Sequence, residues 1–297
     1  MDAFIQTIDS VLFLCFSISL IYLFVFAIAA SFRRTDIYPP ARKKYRYAVL
    51  IPENSVFAAQ NYPAELYDVI PVCSLYETIK EMDPANYDLA VILGETDRVS
   101  PNLLDEINRA YEAGTTAIQL HHIITPRNSR KLRIKAINEE IRNSFFKQGQ
   151  IRIGLSSAMD GKDMVLEFAW LKKNLKSPKS NLEKRLARQN IFVEYLENSC
   201  VESRTPRIPQ YHVRIFRAVA ALPEAILTAN WDYLNKIVQW LLPSWVTLLI
   251  GATLIAILMT AYEWTSSLKW WGALFALIFT ICLAIPDYLV EKTSKKK

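Results

Sequence analysis

The stretch Tyr87–Pro101, YDLAVILGETDRVSP, joins an uncharged run, Leu89 to Leu93, to a glycine and two acids, Glu95 and Asp97. Val and Ile favour a buried strand there, and Gly94 would end it. An acid-x-acid pair at a strand end is a pattern that bears chemistry. Hard divalent cations take carboxylate oxygens, and Mg²⁺ or Mn²⁺ held there can carry a diphosphate. Other reactive residue types carry less. His121 and His122 are adjacent in a strand-like run, which predicts rings on opposite faces. Neither they nor His212 has zinc-ligand spacing. Cys15, Cys73, Cys200 and Cys282 contain no C-x-x-C pair, and a structural role is expected for all four. Neither a Ser-His-Asp order nor a Gly-rich phosphate loop occurs. SAMDGKD (Ser157–Asp163) lacks calcium-loop spacing and reads as a turn. The basic run RNSRKLRIK (Arg127–Lys135) reads as a solvated or lipid-facing surface.

An acidic pair needs a sheet behind it. YAVLIP (Tyr47–Pro52), YDVIPVC (Tyr67–Cys73), LAVILG and TAIQLHHI (Thr116–Ile123) are strand patterns. Between the last two, SPNLLDEINRAYEAG has Ser100 to cap a helix, Pro101 for its first position and Gly114 to end it. Strand, helix, strand implies a parallel crossover and an α/β domain. Leu132–Gln148 reads as a long polar helix. EFAWLKKNL and NLEKRLARQ read as further helices, and IFVEYLENSCVES as a strand with a turn.

The chain has 297 residues, 52% hydrophobic and 22% charged. This composition excludes a disordered chain. Val11–Ala30 is uncharged and apolar, and as a helix reaches about 30 Å, the thickness of a bilayer core. With Asp2 and Asp9 and no Lys or Arg before it, it reads as a retained anchor rather than a secretory signal. Trp245–Tyr262 and Trp270–Val290 form a second and third span with Trp at their edges. Arg33, Arg34, Arg42, Lys43, Lys44 and Arg46 follow the first span, and Lys292 and Lys295 to Lys297 follow the last. The positive-inside rule then puts residues 33–240 in the cytoplasm and the N-terminus outside. Juxtamembrane cations account for much of the net charge of +6, and no nucleic-acid partner is expected. Pro223–Pro243, with Ile226, Leu234, Ile237, Val238 and Leu241 on one face and Lys236 largely elsewhere, reads as an amphipathic helix on the membrane surface.

That order of elements resembles the membrane-bound family-2 glycosyltransferases, whose catalytic domain has the GT-A fold. The matching segments run through most of residues 33–245. AVLIPENSVF is similar to their first strand and NYPAELYDVIPVC to their second. YDLAVILGETDRVSPNLLDEINRAYEAG is similar to their metal-binding strand and following helix. GLSSAM falls at an acceptor loop, and NLEKRLARQNIFVEYLENSCVE follows the position of their TED motif. The resemblance implies an α/β, GT-A-like cytoplasmic domain with three transmembrane helices. Its divisions are an anchor (1–32), the GT-A-like domain (33–221), an interfacial helix (222–243) and a hairpin with a basic tail (244–297).

Such enzymes hold a divalent cation on two aspartates, take a proton with a carboxylate and offset leaving-group charge with cations. Aligned on RVSP, the family's D-A-D falls on Gly94, Glu95 and Thr96, so both aspartates are replaced. Glu95 and Asp97 keep an acid-x-acid pair displaced by one position, and one position on an extended strand reverses the face. TED falls on Lys179, Ser180 and Asn181, leaving Glu183 as the nearby base. QxxRW leaves Arg214, and the glycines of GSGM become Ser156 and Ala158. The segment after Val72 is shortened, and seven glycines are well below the usual ~7%.

The expectation is therefore an inner-membrane pseudo-glycosyltransferase. It would have no catalytic residues and no cofactor, and would contact lipid and a protein partner. That partner would be an active glycosyltransferase or an export component in bacterial surface-glycan synthesis. The alternative is an active, divergent enzyme. There Glu95 and Asp97 would bind Mg²⁺ or Mn²⁺ with a nucleotide-sugar, Arg214 would face the diphosphate and Glu183 would be the base. A third reading is a membrane-attached interaction module unrelated to sugars.

Overall fold

The computed structural model describes residues 2–289 apart from 33–37, 54, 56, 58, 59, 97, 126, 207–214 and 287. Among the described residues, seven strands form one sheet in the order β2-β1-β3-β6-β5-β7-β4. They are β1 (Tyr47–Ile51), β2 (Tyr67–Pro71), β3 (Leu89–Ile92), β4 (Arg98–Val99), β5 (Ala117–Ile124), β6 (Met164–Glu167) and β7 (Val193–Ser203). β1 pairs parallel with β2 and β3, and β5 pairs parallel with β7. The crossover after β3 runs through helix α3 (Leu103–Glu112), as expected, but Asn102 rather than Ser100 stands at its N-cap, Pro101 precedes it, and the Ser100 hydroxyl bonds the Cys200 backbone instead. β5, however, does not lie beside β3. The four-residue β6 sits between them, antiparallel to both. Met164–Glu167 runs directly into a helix and is too short to show a strand period of its own.

The unbroken apolar runs in β1 and β3 follow from burial on both faces. Val49, Ile51, Leu89 and Val91 face one core with α3 side chains Leu103, Leu104 and Ile107. Ala48, Leu50, Ala90 and Ile92 face a second, closed by α2 (Leu75–Glu81), α6 (Phe168–Asn174) and α7 (Leu182–Arg188) through Ile79, Phe168, Leu171 and Leu186.

Among the described residues, three helices are long and apolar enough to cross a membrane: α1 (Asp2–Ser31), α11 (Trp245–Tyr262) and α12 (Trp264–Leu283). The last starts six residues before Trp270, so only Glu263 separates it from α11. Asp9 on α1 accepts from Trp270 Nε1 at 2.7 Å and pairs with Lys269, which ties the first apolar helix to the last.

Four further expectations are corrected. The polar helix extends through 130–152, as α4 (Arg130–Asn143), a π-helical segment (Ser144–Gln148) and α5 (Gly149–Arg152). Its Glu139, Glu140, Asn143, Lys147 and Gln150 are buried. Its apolar side chains Ile141 and Phe145 pack among the three apolar helices. Gly149 lies so close to α1 that a Cβ there would sit 2.3 Å from the Phe26 carbonyl oxygen. β7 is one strand with no turn, and its register against β5 shifts between Leu120 and His121. Pro223–Pro243 is not one helix. α8 (Ile215–Val219) and α9 (Leu222–Leu227) precede a break at Ala229 (φ 49°) and Asn230, which caps α10 (Trp231–Leu241). Lys236 on α10 points inward, with 1% of its surface exposed, because Glu183 offers it a carboxylate at 3.4 Å.

Candidate functional site

The carboxyl ends of parallel strands are where α/β sheets usually receive ligands. Here the ends of β1, β2 and β3 border a cavity of about 370 Å³ lined by Pro52, Val72, Cys73, Leu93, Lys162 and Pro178, among others. The Cys73 thiol donates to Glu53 Oε1 at 2.8 Å, and that carboxylate pushes the thiol pKa upward. Apolar side chains and backbone dominate the lining, with Lys162 bringing positive charge.

The positions marked by the sequence begin one residue beyond Leu93, which lines this cavity. Gly94 follows β3, and its N–H donates to Asp163 Oδ1 at 3.0 Å. The Thr96 hydroxyl is buried and donates to the Gly94 carbonyl at 2.7 Å, and Thr96 N–H donates to Ser55 Oγ at 3.2 Å. Glu95 is exposed. Asp97 and Arg214 lie outside the described residues. Asn181 caps α7 by accepting from Lys184 N–H at 2.8 Å. Glu183 accepts from Met159 N–H at 3.1 Å and from Trp240 Nε1 at 3.4 Å, besides its pairing with Lys236. The carboxylate that would serve as a base is thus engaged by three donors. Among the described residues no three His, Cys, Asp or Glu side chains converge as a metal cluster. Gly94 presents an amide and Thr96 a hydroxyl, and the Glu95 carboxylate lies between them in sequence.

The carboxylate nearest this position in the hydrogen-bond pattern is Asp163, wholly buried and held at φ 51°. It belongs to the turn expected over Ser157–Asp163. The same turn supplies the centre of a charged network that the sequence reading missed. Asp160, 2% exposed, meets Lys147 and Arg142, each at 2.5 Å, and its N–H donates to Gln119 Oε1 at 3.1 Å. Burial opposes the charged carboxyl, but the two cations prevail and hold Asp160 below its ordinary value. Arg142 also reaches Glu139 at 3.7 Å.

On β5 the two imidazoles meet consecutive acids of α4. His121 Nε2 lies 3.2 Å from Glu140, and His122 Nδ1 lies 3.6 Å from Glu139. Rings expected on opposite faces therefore converge on one helix, at the point where the register against β7 shifts. His121 Nδ1 is 3.0 Å from the Glu197 carbonyl and 3.8 Å from Cys200 Sγ. Burial opposes its charge, yet Glu140 with Cys200 lifts the His121 pKa well above the ordinary imidazole value, while Glu140 is lowered in turn. The one sequence signal for this network was the spacing Glu140, Asn143, Lys147, Gln150. That is a polar stripe at helical period, which resembles a solvated face until the helix is seen to be covered.

No family model matches the chain, and no curated protein matches it significantly. Among solved structures it is similar to a mannosyltransferase from Pyrobaculum calidifontis in complex with GDP-mannose and Mn²⁺. The identity is 12% and the TM-score 0.49, over 98% of this chain and 99% of that one.

Proposed function

We propose that this protein is a membrane-anchored, glycosyltransferase-like subunit that carries out no sugar transfer of its own. It would sit in the inner membrane with its α/β domain in the cytoplasm. There it would dock an active glycosyltransferase or an export component of surface-glycan synthesis. The reading draws on the ordered sequence matches to membrane-bound family-2 glycosyltransferases and on an α/β sheet with three apolar helices. One observation carries the loss of chemistry. Where the family pattern calls for two cation-binding aspartates, the chain offers the Gly94 amide, already bonded to buried Asp163, and the inward-turned Thr96 hydroxyl.

The test is donor turnover and metal binding by the full-length protein in detergent. Incubated with UDP- and GDP-sugars and Mn²⁺, it should release no nucleotide, and calorimetry should register no Mn²⁺-dependent donor binding. Turnover that vanishes in Glu95→Ala or Asp97→Ala would instead establish the active reading, with Glu95, Asp97, Arg214 and Glu183 in the roles given above. Cross-linking in native membranes should recover a glycan-synthesis protein. Recovery of none, together with no donor binding, would favour an interaction module unrelated to sugars.

A further inference from the structure

Helix α4 runs beside one end of the apolar bundle, and three contacts fix it there. The Arg127 guanidinium, just before the helix, lies 5.2 Å from the ring centroid of Tyr288, which follows α12. Asn138 Oδ1 accepts from the indole N–H of Trp245, the first residue of α11, at 3.0 Å. The Ser144 hydroxyl donates to the carbonyl of Ala284, at the end of α12, at 2.7 Å. In the distal half of α4, Ile137, Ile141 and then Phe145 pack into the cluster formed by the three apolar helices.

The same stripe continues backward at helical spacing through Asn138 to Ile134 and Lys131. There the packing against the apolar helices ends and the stripe does not. Ile134 is 58% exposed, and Arg130, Lys131 and Arg133 beside it are exposed. Among the described residues no carboxylate pairs with any of the three cations. A large aliphatic side chain ringed by cations, level with the Trp and Tyr that bound two apolar helices, has the composition of a bilayer interface.

We infer that the first two turns of α4 form a binding surface for anionic lipid headgroups. Ile134 enters the boundary between headgroup and acyl chain, and Arg130, Lys131 and Arg133 engage the lipid phosphates. The occupant is lipid rather than a soluble anion, because the surface continues one already packed on the apolar helices and because an aliphatic side chain stands at its centre. The inference rests on those helices being membrane spans and is independent of whether the cleft is catalytic.

Native mass spectrometry of the full-length protein in detergent, with added phosphatidylglycerol or phosphatidylcholine, tests it. The wild type should retain phosphatidylglycerol preferentially. Arg130→Gln/Lys131→Gln/Arg133→Gln should weaken that preference on the order of tenfold to a hundredfold, since each cation near an anionic surface contributes about fivefold. The substituted side chains are exposed, so the melting temperature should stay unchanged. Ile134→Asp should reduce retention of both lipids. Equal retention of the two lipids, an unchanged preference in the triple variant, or displacement of the lipid by inorganic phosphate would overturn the proposal. Alkaline extraction separates the two possible failures. A protein released from membranes would refute the spans themselves, whereas one that stays but does not discriminate lipids would refute this site alone.

Discussion

The cleft at the ends of β1–β3 and the charged layer between β5, β7 and α4 belong to one sheet and treat charge in opposite ways. Just beyond the ends of β1 and β3 the acids Glu53 and Glu95 are exposed, and Gly94 and Thr96 offer an amide and a hydroxyl. In the charged layer Glu139, Glu140, Lys147 and Asp160 are each at most 5% exposed, and Asp160 meets two cations at 2.5 Å. An active site usually keeps a few perturbed charges at an accessible hollow. Here the perturbed carboxylates Glu140 and Asp160 are sealed inside, and the hollow holds the Cys73 thiol, whose pKa Glu53 pushes upward. The ionic chemistry of this domain is spent on joining the sheet to the helix that packs on the apolar bundle.

The sharpest way to break that contrast is to delete one carboxylate from each region. Asp160→Ala leaves Lys147, 1% exposed, without its partner in a dry interior, and strips Arg142 of its closest acid. Removing one member of a buried pair costs about 3–5 kcal/mol. Thermal unfolding in detergent, followed by circular dichroism, should show Asp160→Ala melting far below the wild type. A melting temperature within a degree or two of wild type would mean that the charged layer does not join these elements.

A smaller effect should come from pH. Glu140 raises the His121 pKa, with Cys200 and the Glu197 carbonyl at its other nitrogen and Tyr195 beside the ring. Its folded-state pKa is raised above the unfolded value of about 6.5, so its contribution is complete below that pH. The contribution is lost as pH rises through the folded value. Glu140 is lowered in the fold, so its share is present above the ordinary carboxylate range and lost as pH falls through its own folded value. Melting temperature measured from pH 5 to pH 9 should decline on the alkaline side in the wild type and decline less in His121→Asn. Parallel profiles for the two proteins would remove His121 from the account.

Much of this arrangement was legible in the sequence, and the exceptions have physical causes. Strands β1 and β3 are continuous apolar runs, β5 is rich in Ile and Leu, and α3 lies between Pro101 and Gly114, so local chemistry alone announced them. β6 is four residues flush against a helix, and no period can emerge from so short a segment. The charges of α4 and the π-helical segment have the spacing of a wetted face, and only the packing of β5, β7 and the Asp160 turn against them shows that they are inside. Lys236 reads as a polar-face residue of an interfacial helix until the carboxylate of Glu183 is found facing it. At the cleft the sequence revealed which acids had been replaced. It could not reveal that Asp163, sixty-nine residues after Gly94, sends its carboxylate to that glycine's amide.

The weakest perturbation sharpens the other side of the contrast. Glu95 is exposed just beyond β3, and an exposed substitution usually changes stability by no more than about 0.5 kcal/mol. Glu95→Gln keeps the shape of the side chain and removes only its charge. Denaturant unfolding should therefore overlay the wild-type curve within that margin, and Mn²⁺ titration by calorimetry should be the same for both proteins. A Mn²⁺ signal present in the wild type and lost in Glu95→Gln would show the cleft to be a working metal site. Loss of about 2 kcal/mol or more would place Glu95 in a structural network like that of Asp160. Agreement on both measurements leaves the acid as a solvated turn residue, and the charged layer as the part of the sheet on which stability turns.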